Sequence, residues 1–229
     1  MRKSPAYWLL VRIPFWGVVA SILLVLLLKW VPVRYTPVML KRAFQFRKVE
    51  NYRTEQKWVS LEEVSPDLIQ AVIACEDNRF CEHDGFDWKE IRKMLAEHEG
   101  KGRRIRGCST ISQQTAKNVF TFGTHTWARK AFETYWTVLI EKIWGKRRIM
   151  EVYLNVVETG RGIYGVEAAA RHYYETSAKG LNRKQAISIA VCLPSPLITP
   201  PDRPDDSQRK RQARIHSLIP KLRYPDWAR

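Results

Sequence analysis

The 229-residue chain is 45% hydrophobic, which excludes a disordered chain and leaves room for one domain with a sizeable core. Its 39 Lys and Arg against 23 Asp and Glu give a formal charge of +16, so the favoured partners are polyanions: nucleic acid, anionic head groups or a diphosphate substrate. Cys75, Cys81, Cys108 and Cys192 form no C-x-x-C pair, which argues against a zinc or thioredoxin-like site; they read as small buried hydrophobes, with a disulfide open only to an extracytoplasmic domain.

Residues 1–6 form a short tail, expected in the cytoplasm. Tyr7 to Trp30 is almost wholly apolar, and Ile13 to Leu28 carries no charge. As a helix this stretch would be about 36 Å long, enough for a bilayer core. A transmembrane anchor over 7–30 is therefore predicted, with Arg12 snorkelling and Trp8 and Trp30 at the two interfaces. A cleaved signal peptide fits less well, because Lys29-Trp30-Val31-Pro32 offers no small-x-small site after Leu28. The flanking charges conflict over orientation. Lys29, Arg34, Lys41, Arg42, Arg47 and Lys48 follow the span and outnumber Arg2 and Lys3 before it. That bias would place the following domain inside, whereas a very short basic N-terminus usually stays inside itself.

Residues 31–57 read as a basic, irregular connector, 58–200 as the globular domain and 201–229 as a basic tail. Ser65-Pro66 predicts a helix start running to about Cys75. Asp87 predicts a cap for a helix from Trp88 to His98, and Lys101 to Gly107 a basic loop. Thr110-x-x-Gln113 is a capping-box pattern for a helix from Ile111 to about Phe120. Further helices are expected at Trp127 to Trp144, Arg147 to Val157, Val166 to Tyr174, and from an Asn182 cap to Leu193. No alternating strand pattern and no repeat stands out, so the fold is expected to be mainly α. The basic clusters at Lys41–Lys48, Lys101–Arg106, Lys142–Arg148 and Arg209–Arg214 read equally well as solvated faces.

Two acidic motifs and the segment between them carry the chemistry. In Glu76-Asp77-Asn78-Arg79-Phe80-Cys81-Glu82-His83-Asp84-Gly85, the residues Glu76, Phe80 and His83 share a face if the helix continues, and Gly85 permits a sharp turn. A glutamate at a helix end beside a cleft can be tuned as a general base. The plain alternative is an acidic helix end with a structural His83. A metal set of Glu76, His83 and Asp84 matches no zincin pattern. In the middle segment, the helix N-terminus with Ser109, Thr110 and Arg106 offers a site for phosphate or sugar oxygens. The spacing of Gln113 to Lys117 and Gln114 to Asn118 makes an amide-rich face suited to sugar hydroxyls, although an ordinary capped amphipathic helix explains it equally well. In the third motif, Arg129 and Lys130 reach Glu133 on one helix. They would lower its pKa and keep it ionised, or form only a surface pair worth about 0.3–0.5 kcal/mol.

These segments resemble the peptidoglycan glycosyltransferases of family 51, from about Leu61 to Leu197. The residues that carry the likeness are Glu76-Asp77-x-x-Phe80-x-x-His83-x-Gly85, Gly107-Cys108-Ser109-Thr110-Ile111-Ser112-Gln113-Gln114, Arg129-Lys130-x-x-Glu133, Arg148-Ile149-x-Glu151-x-Tyr153-Leu154-Asn155 and the helix Gly165–Tyr174. The chain length resembles the monofunctional form without a transpeptidase domain. Ser207-x-x-Lys210 lacks a Lys-Thr-Gly partner and reads as chance. The resemblance implies a lysozyme-like helical fold against the outer face of a bacterial inner membrane, single-pass, with the N-terminus cytoplasmic and the catalytic domain extracytoplasmic. It implies polymerisation of lipid II into β-1,4 glycan strands by inversion, with release of undecaprenyl diphosphate. Lipid II and the growing strand would be partners, together with other cell-wall synthesis proteins and no nucleic acid. By this likeness Glu76 is the general base on the acceptor's 4-hydroxyl, and Glu133 stabilises charge at the donor. Asp77, Phe80, His83, Ser109, Thr110, Gln113, Gln114 and Asn118 bind substrate. Lys117, Arg129 and Lys130, with a divalent cation such as magnesium or manganese as a further candidate, neutralise the diphosphate.

Two departures stand out. His125 falls where an arginine near the donor phosphates is usual, which predicts weaker or pH-sensitive donor binding. Cys108 replaces a usual glycine. Two other functions remain open to the sequence. A lytic, lysozyme-like enzyme would use Glu76 as general acid but needs no phosphate site. A non-catalytic basic module binding nucleic acid or membrane has only net charge in its favour.

Overall fold

A computed structural model of the chain describes residues 8–50, 52–101, 109–122 and 127–229. Arg106, Gly107, Cys108 and His125, all drawn into the sequence reading, lie outside the described residues. The described chain is mainly helical: α1 (Ile13–Leu28), α2 (Pro37–Gln45), α3 (Pro66–Glu76), α4 (Trp88–Lys101), α5 (Ile111–Phe120), α6 (Trp127–Ile143), α7 (Gly145–Val156), α8 (Val166–Tyr174), α9 (Arg183–Cys192) and α10 (Asp206–Leu218). A small sheet of β1 (Glu55–Gln56), β2 (Glu158–Gly160) and β3 (Ile163–Tyr164) has the order β1-β3-β2, with β1 parallel and β2 antiparallel to β3.

Local chemistry accounts for the helix ends. Ser65 precedes Pro66, whose missing N–H is no loss in a first turn. Thr110 and Gln113, and Asn182 and Gln185, form reciprocal capping boxes on α5 and α9. Gly165 sits at φ 78°, and a side chain there would meet the Asn155 carbonyl oxygen at 2.6 Å, so α8 can start only from glycine. The core lies between α3, α5, α7, α8 and α9, with Leu68, Val72, Ile111, Ile149, Tyr153, Leu154, Ala169 and Ile189 fully buried. Asn155 ties the chain before α3 to α7: its Nδ2 donates to the Val59 and Glu151 carbonyls, and its Oδ1 accepts from the Val59 N–H at 2.9 Å.

The domain is larger than the sequence suggests. The connector contains α2, capped by the Thr36 hydroxyl on the Met39 N–H, and Val33, Thr36 and Met39 are buried. The C-terminal segment is not a loose tail. Its helix α10 packs on α3 and α9, Ile215 and Ile219 join the core, and the Ala228 carbonyl accepts from Gln70 Nε2. The strands are two or three residues long, too short to show alternation in sequence.

The N-terminal apolar stretch differs from a single straight span. A π-helical turn, Trp8–Arg12, leads into α1. Pro14, without an N–H, breaks the regular hydrogen-bond ladder at that junction. Among the described residues, no helix is long and apolar enough to cross a membrane. The helix α1 docks on the domain by its C-terminal half. Val25 is buried, Trp144 Nε1 donates to the Val25 carbonyl at 2.7 Å, and Arg148 donates to the carbonyls of Leu28 and Val31. Tyr135 and Ser21 share a hydroxyl–hydroxyl hydrogen bond at 2.5 Å.

Candidate active site

The site is built around α5, whose N-terminus is tied to the chain after α3. That chain does not continue as helix past Glu76. Asp77 leaves it at φ −161°, and a 3-10 turn follows at Phe80–Glu82, so Glu76, Phe80 and His83 do not share a helical face. The cause is visible in the Asp77 carboxylate. It accepts from the Ile111 N–H at 3.1 Å and from His83 Nε2 at 3.0 Å. His83 Nδ1 accepts from the Gly85 N–H, so Nε2 carries the proton that Asp77 receives. Gly85, at φ 91°, lies against Thr137 and Glu141 too closely for a side chain, and its carbonyl accepts from the Thr110 hydroxyl at 2.7 Å.

This bonding changes the use of several expected substrate contacts. Two of the N-terminal amides of α5 that the sequence offered to phosphate are taken, that of Ile111 by Asp77 and that of Gln113 by the Thr110 hydroxyl. Gln113 is spent on the capping box, and Asp77, His83, Thr110 and Gln113 are buried against one another. Phe80 is completely buried, with Lys146 Nζ 4.5 Å from its ring, so it belongs to the core. Asn118 is also buried, whereas Ser109 is exposed.

Glu76 emerges at the end of α3 with its side chain only 8% exposed. Its Oε2 accepts from Gln114 Nε2 at 2.8 Å, while Oε1 is screened from solvent and has no hydrogen-bond partner. Tyr153, on α7, donates to Gln114 Oε1 at 3.3 Å and so turns the amide nitrogen toward Glu76. Burial pushes the Glu76 carboxyl above the ordinary range, opposed by the Gln114 hydrogen bond and by the charge of Arg211. A buried acceptor without a donor is costly, so Oε1 marks where a donor is missing.

Glu133, on α6, is more deeply buried and differently bonded. Arg129 Nη1 donates to its Oε2 at 2.6 Å and Lys130 Nζ to its Oε1 at 2.5 Å. With the glutamate 2% exposed, this is not a surface pair. Lys117, on the face of α5 between the acids, links them. Its pKa is lowered, chiefly by burial, and the charges of Glu133 and Glu76 both act to raise it. Lys117 therefore senses both glutamates, and α5 brings the two acids and three cations into one site. Glu158, on β2, lies within reach of the same lysine and pairs with Arg42 at 3.2 Å.

Among the described residues, no three His, Cys, Asp or Glu side chains converge as a metal set. Asp77 is committed to His83 and Ile111, and Glu133 to its two cations, so the suggested set of Glu76, His83 and Asp84 has no geometric support. The sequence reading missed Tyr153 as an orienting group and held Arg211 only within the basic cluster Arg209–Arg214. The first lay in a recognised segment; no local pattern marks the second.

An ionisable carboxylate with one oxygen lacking a donor, beside a cluster of cations around a second acid, suits displacement of an anionic leaving group by a hydroxyl. Comparison with known proteins decides the family. The Transglycosylase family model matches residues 43–219. The chain belongs to the transglycosylase family. It is 47% identical over 207 residues to the biosynthetic peptidoglycan transglycosylase of Bacteroides thetaiotaomicron, covering 89% of this chain and 83% of that protein. It is 43% identical over 235 residues to the protein of the same name in Ectopseudomonas mendocina, covering 95% of each. A third such protein, from Bdellovibrio bacteriovorus, is 48% identical over 202 residues, covering 88% of this chain and 80% of the relative. The match to the transglycosylase family model takes in α10 to its end, in keeping with the integration of that helix into the domain.

Proposed function

We infer that the protein is a peptidoglycan transglycosylase, a glycosyltransferase that polymerises lipid II into glycan strands in a lysozyme-like helical domain. The observation that carries the mechanism is the contrast at Glu76: one oxygen held by Gln114, the other without a partner. An acceptor sugar hydroxyl donating to Oε1 supplies the missing bond. As that oxygen takes the proton, the hydroxyl oxygen forms its bond to the donor's anomeric carbon. The bond from that carbon to the diphosphate oxygen breaks, and the lipid diphosphate leaves with the electron pair. Attack opposite the leaving group inverts the anomeric centre. A carboxyl raised by burial is a better base than an ordinary carboxylate.

The leaving diphosphate needs positive charge rather than a proton. Lys117, Arg129 and Lys130 supply it, and Glu133 fixes the last two in place. A magnesium or manganese ion would add positive charge at the diphosphate; among the described residues no three His, Cys, Asp or Glu side chains converge to hold it. Asp77, His83, Thr110 and Gln113 act as the frame that sets Glu76 against α5, while Gln114, Ser109 and Asn118 remain the candidates for sugar contact.

Membrane attachment is part of the same reading. Ile13, Phe15, Trp16, Leu23 and Leu27 are all more than half exposed, and α1 buries only Ser21 and Val25. Apolar side chains exposed around a helix favour lipid over water. The π-helical turn and α1 together form the anchor, and the exposed Trp30, Tyr35, Leu40 and Phe44 continue its apolar surface toward the domain. A lipid-linked substrate would then meet the site at the outer face of the membrane.

The test is incubation of the purified full chain with lipid II, and separately with finished glycan. The expected result is long glycan and released lipid diphosphate in the first case and no change in the second. Shortened glycan in the second, with no polymer in the first, would replace this reading with the lytic one.

A further inference from the structure

We propose that Arg211, on the C-terminal helix α10, is a positioning residue for Glu76: it holds the carboxylate ionised by charge at a distance and leaves Oε1 free to receive the acceptor's proton. This rests on the reading of Glu76 as the general base. Arg211 Nη2 stands 3.7 Å from Glu76 Oε1, close enough for an ion pair and too far for a hydrogen bond. Its donor is directed instead at Cys75 Sγ, 3.1 Å away. The result is an anion with a nearby permanent cation and an unoccupied lone pair. A donor bonded directly to Oε1 would compete with the acceptor hydroxyl.

The helix that carries Arg211 is firmly seated. Gln212 Nε2 donates to Ser188 Oγ at 2.9 Å, Gln208 Nε2 lies 3.2 Å from Cys192 Sγ, and Ile215 is buried. The other groups facing Glu76 cannot take over its role. Asp77 adds a like charge but is engaged with His83 and Ile111. The Cys75 thiol is pushed up to about 12, mainly by burial, and stays neutral; it lies 3.3 Å from the Ala190 carbonyl as a donor and favours the Glu76 carboxylate less than Arg211 does. Gln114 is neutral, and Tyr153 is held neutral by burial. The field of Lys117 is shared with Glu133, and its own charge is disfavoured by burial. Among the described residues, Arg211 is therefore the cation beside Glu76 that belongs to no other acid of the site.

The experiment is the pH dependence of kcat/KM for lipid II, using the full chain. In Arg211→Met, loss of the cation raises the Glu76 pKa, so the acid limb moves to higher pH, by about one pH unit for a partly exposed partner at this range. Arg211→Lys restores most of the native limb, and KM changes less than about twofold. Arg209→Met, an exposed neighbour paired with Asp206, leaves the limb in place. If Arg211→Met does not fold, Arg211→Gln serves the same comparison. An unmoved limb in a folded Arg211 variant, or an equal shift in Arg209→Met, overturns the proposal. Glu76→Gln separates the two levels. If it keeps native turnover, the base assignment itself falls. If it is inactive while the Arg211 limb is unmoved, only the positioning role falls.

Discussion

The two buried glutamates of the site are chemically identical and oppositely equipped. Glu76 faces neutral Gln114, keeps one oxygen unbonded and has its ionisation opposed by burial. Glu133 has both oxygens bonded to cations. The first is built to gain a proton; the second is built to hold cations in position. Two acids so differently bonded divide acid–base and electrostatic work between them.

Substitution should separate the pair. The largest effect on rate is expected from Glu76→Gln, a fall of about 10²–10⁴ in kcat with little change in KM for lipid II, measured by steady-state kinetics. Glu133→Gln should instead unfold more readily, by about 2–3 kcal/mol in denaturant titrations, because buried or half-buried cations lose their partner. Its activity should fall through weaker and disordered donor binding. Asp77→Ala, which strips the Ile111 amide and His83 of their acceptor, should cost about 1–3 kcal/mol, with the rate reduced only as α5 shifts from Glu76. The smallest effect sharpens the contrast most. A carboxyl raised in the folded state binds its proton more tightly there than in the unfolded chain. Stability is then lost as pH rises from the unfolded pKa through the folded one. Glu76→Gln should therefore raise the melting temperature at pH 7 and not below pH 4, whereas Glu133→Gln should lower it at pH 7.

Much of this arrangement could be read locally. Thr110 and Asn182 mark helix starts because their side chains act within three residues, and Ser65-Pro66 marks one through the proline in the first turn. Arg129, Lys130 and Glu133 meet because helical spacing dictates it. What sequence could not give is the path of the chain after Glu76. The turn at Asp77 depends on the Ile111 amide, 34 residues later, so Phe80 and His83 read as sharing a face with Glu76 on a continuing helix. The helix α2 left a signal in Thr36-Pro37, but the basic residues around it read as a linker. Arg211 left none, since its meaning comes only from α10 packing across α3, 136 residues from Cys75.

The most direct test of the central claim is single-turnover transfer from lipid II by Glu76→Gln, with donor binding measured on the same sample. The account predicts binding within about threefold of the native protein and transfer slower by at least about 100-fold. Transfer at the native rate with native binding would contradict it, and the proton would have to go elsewhere.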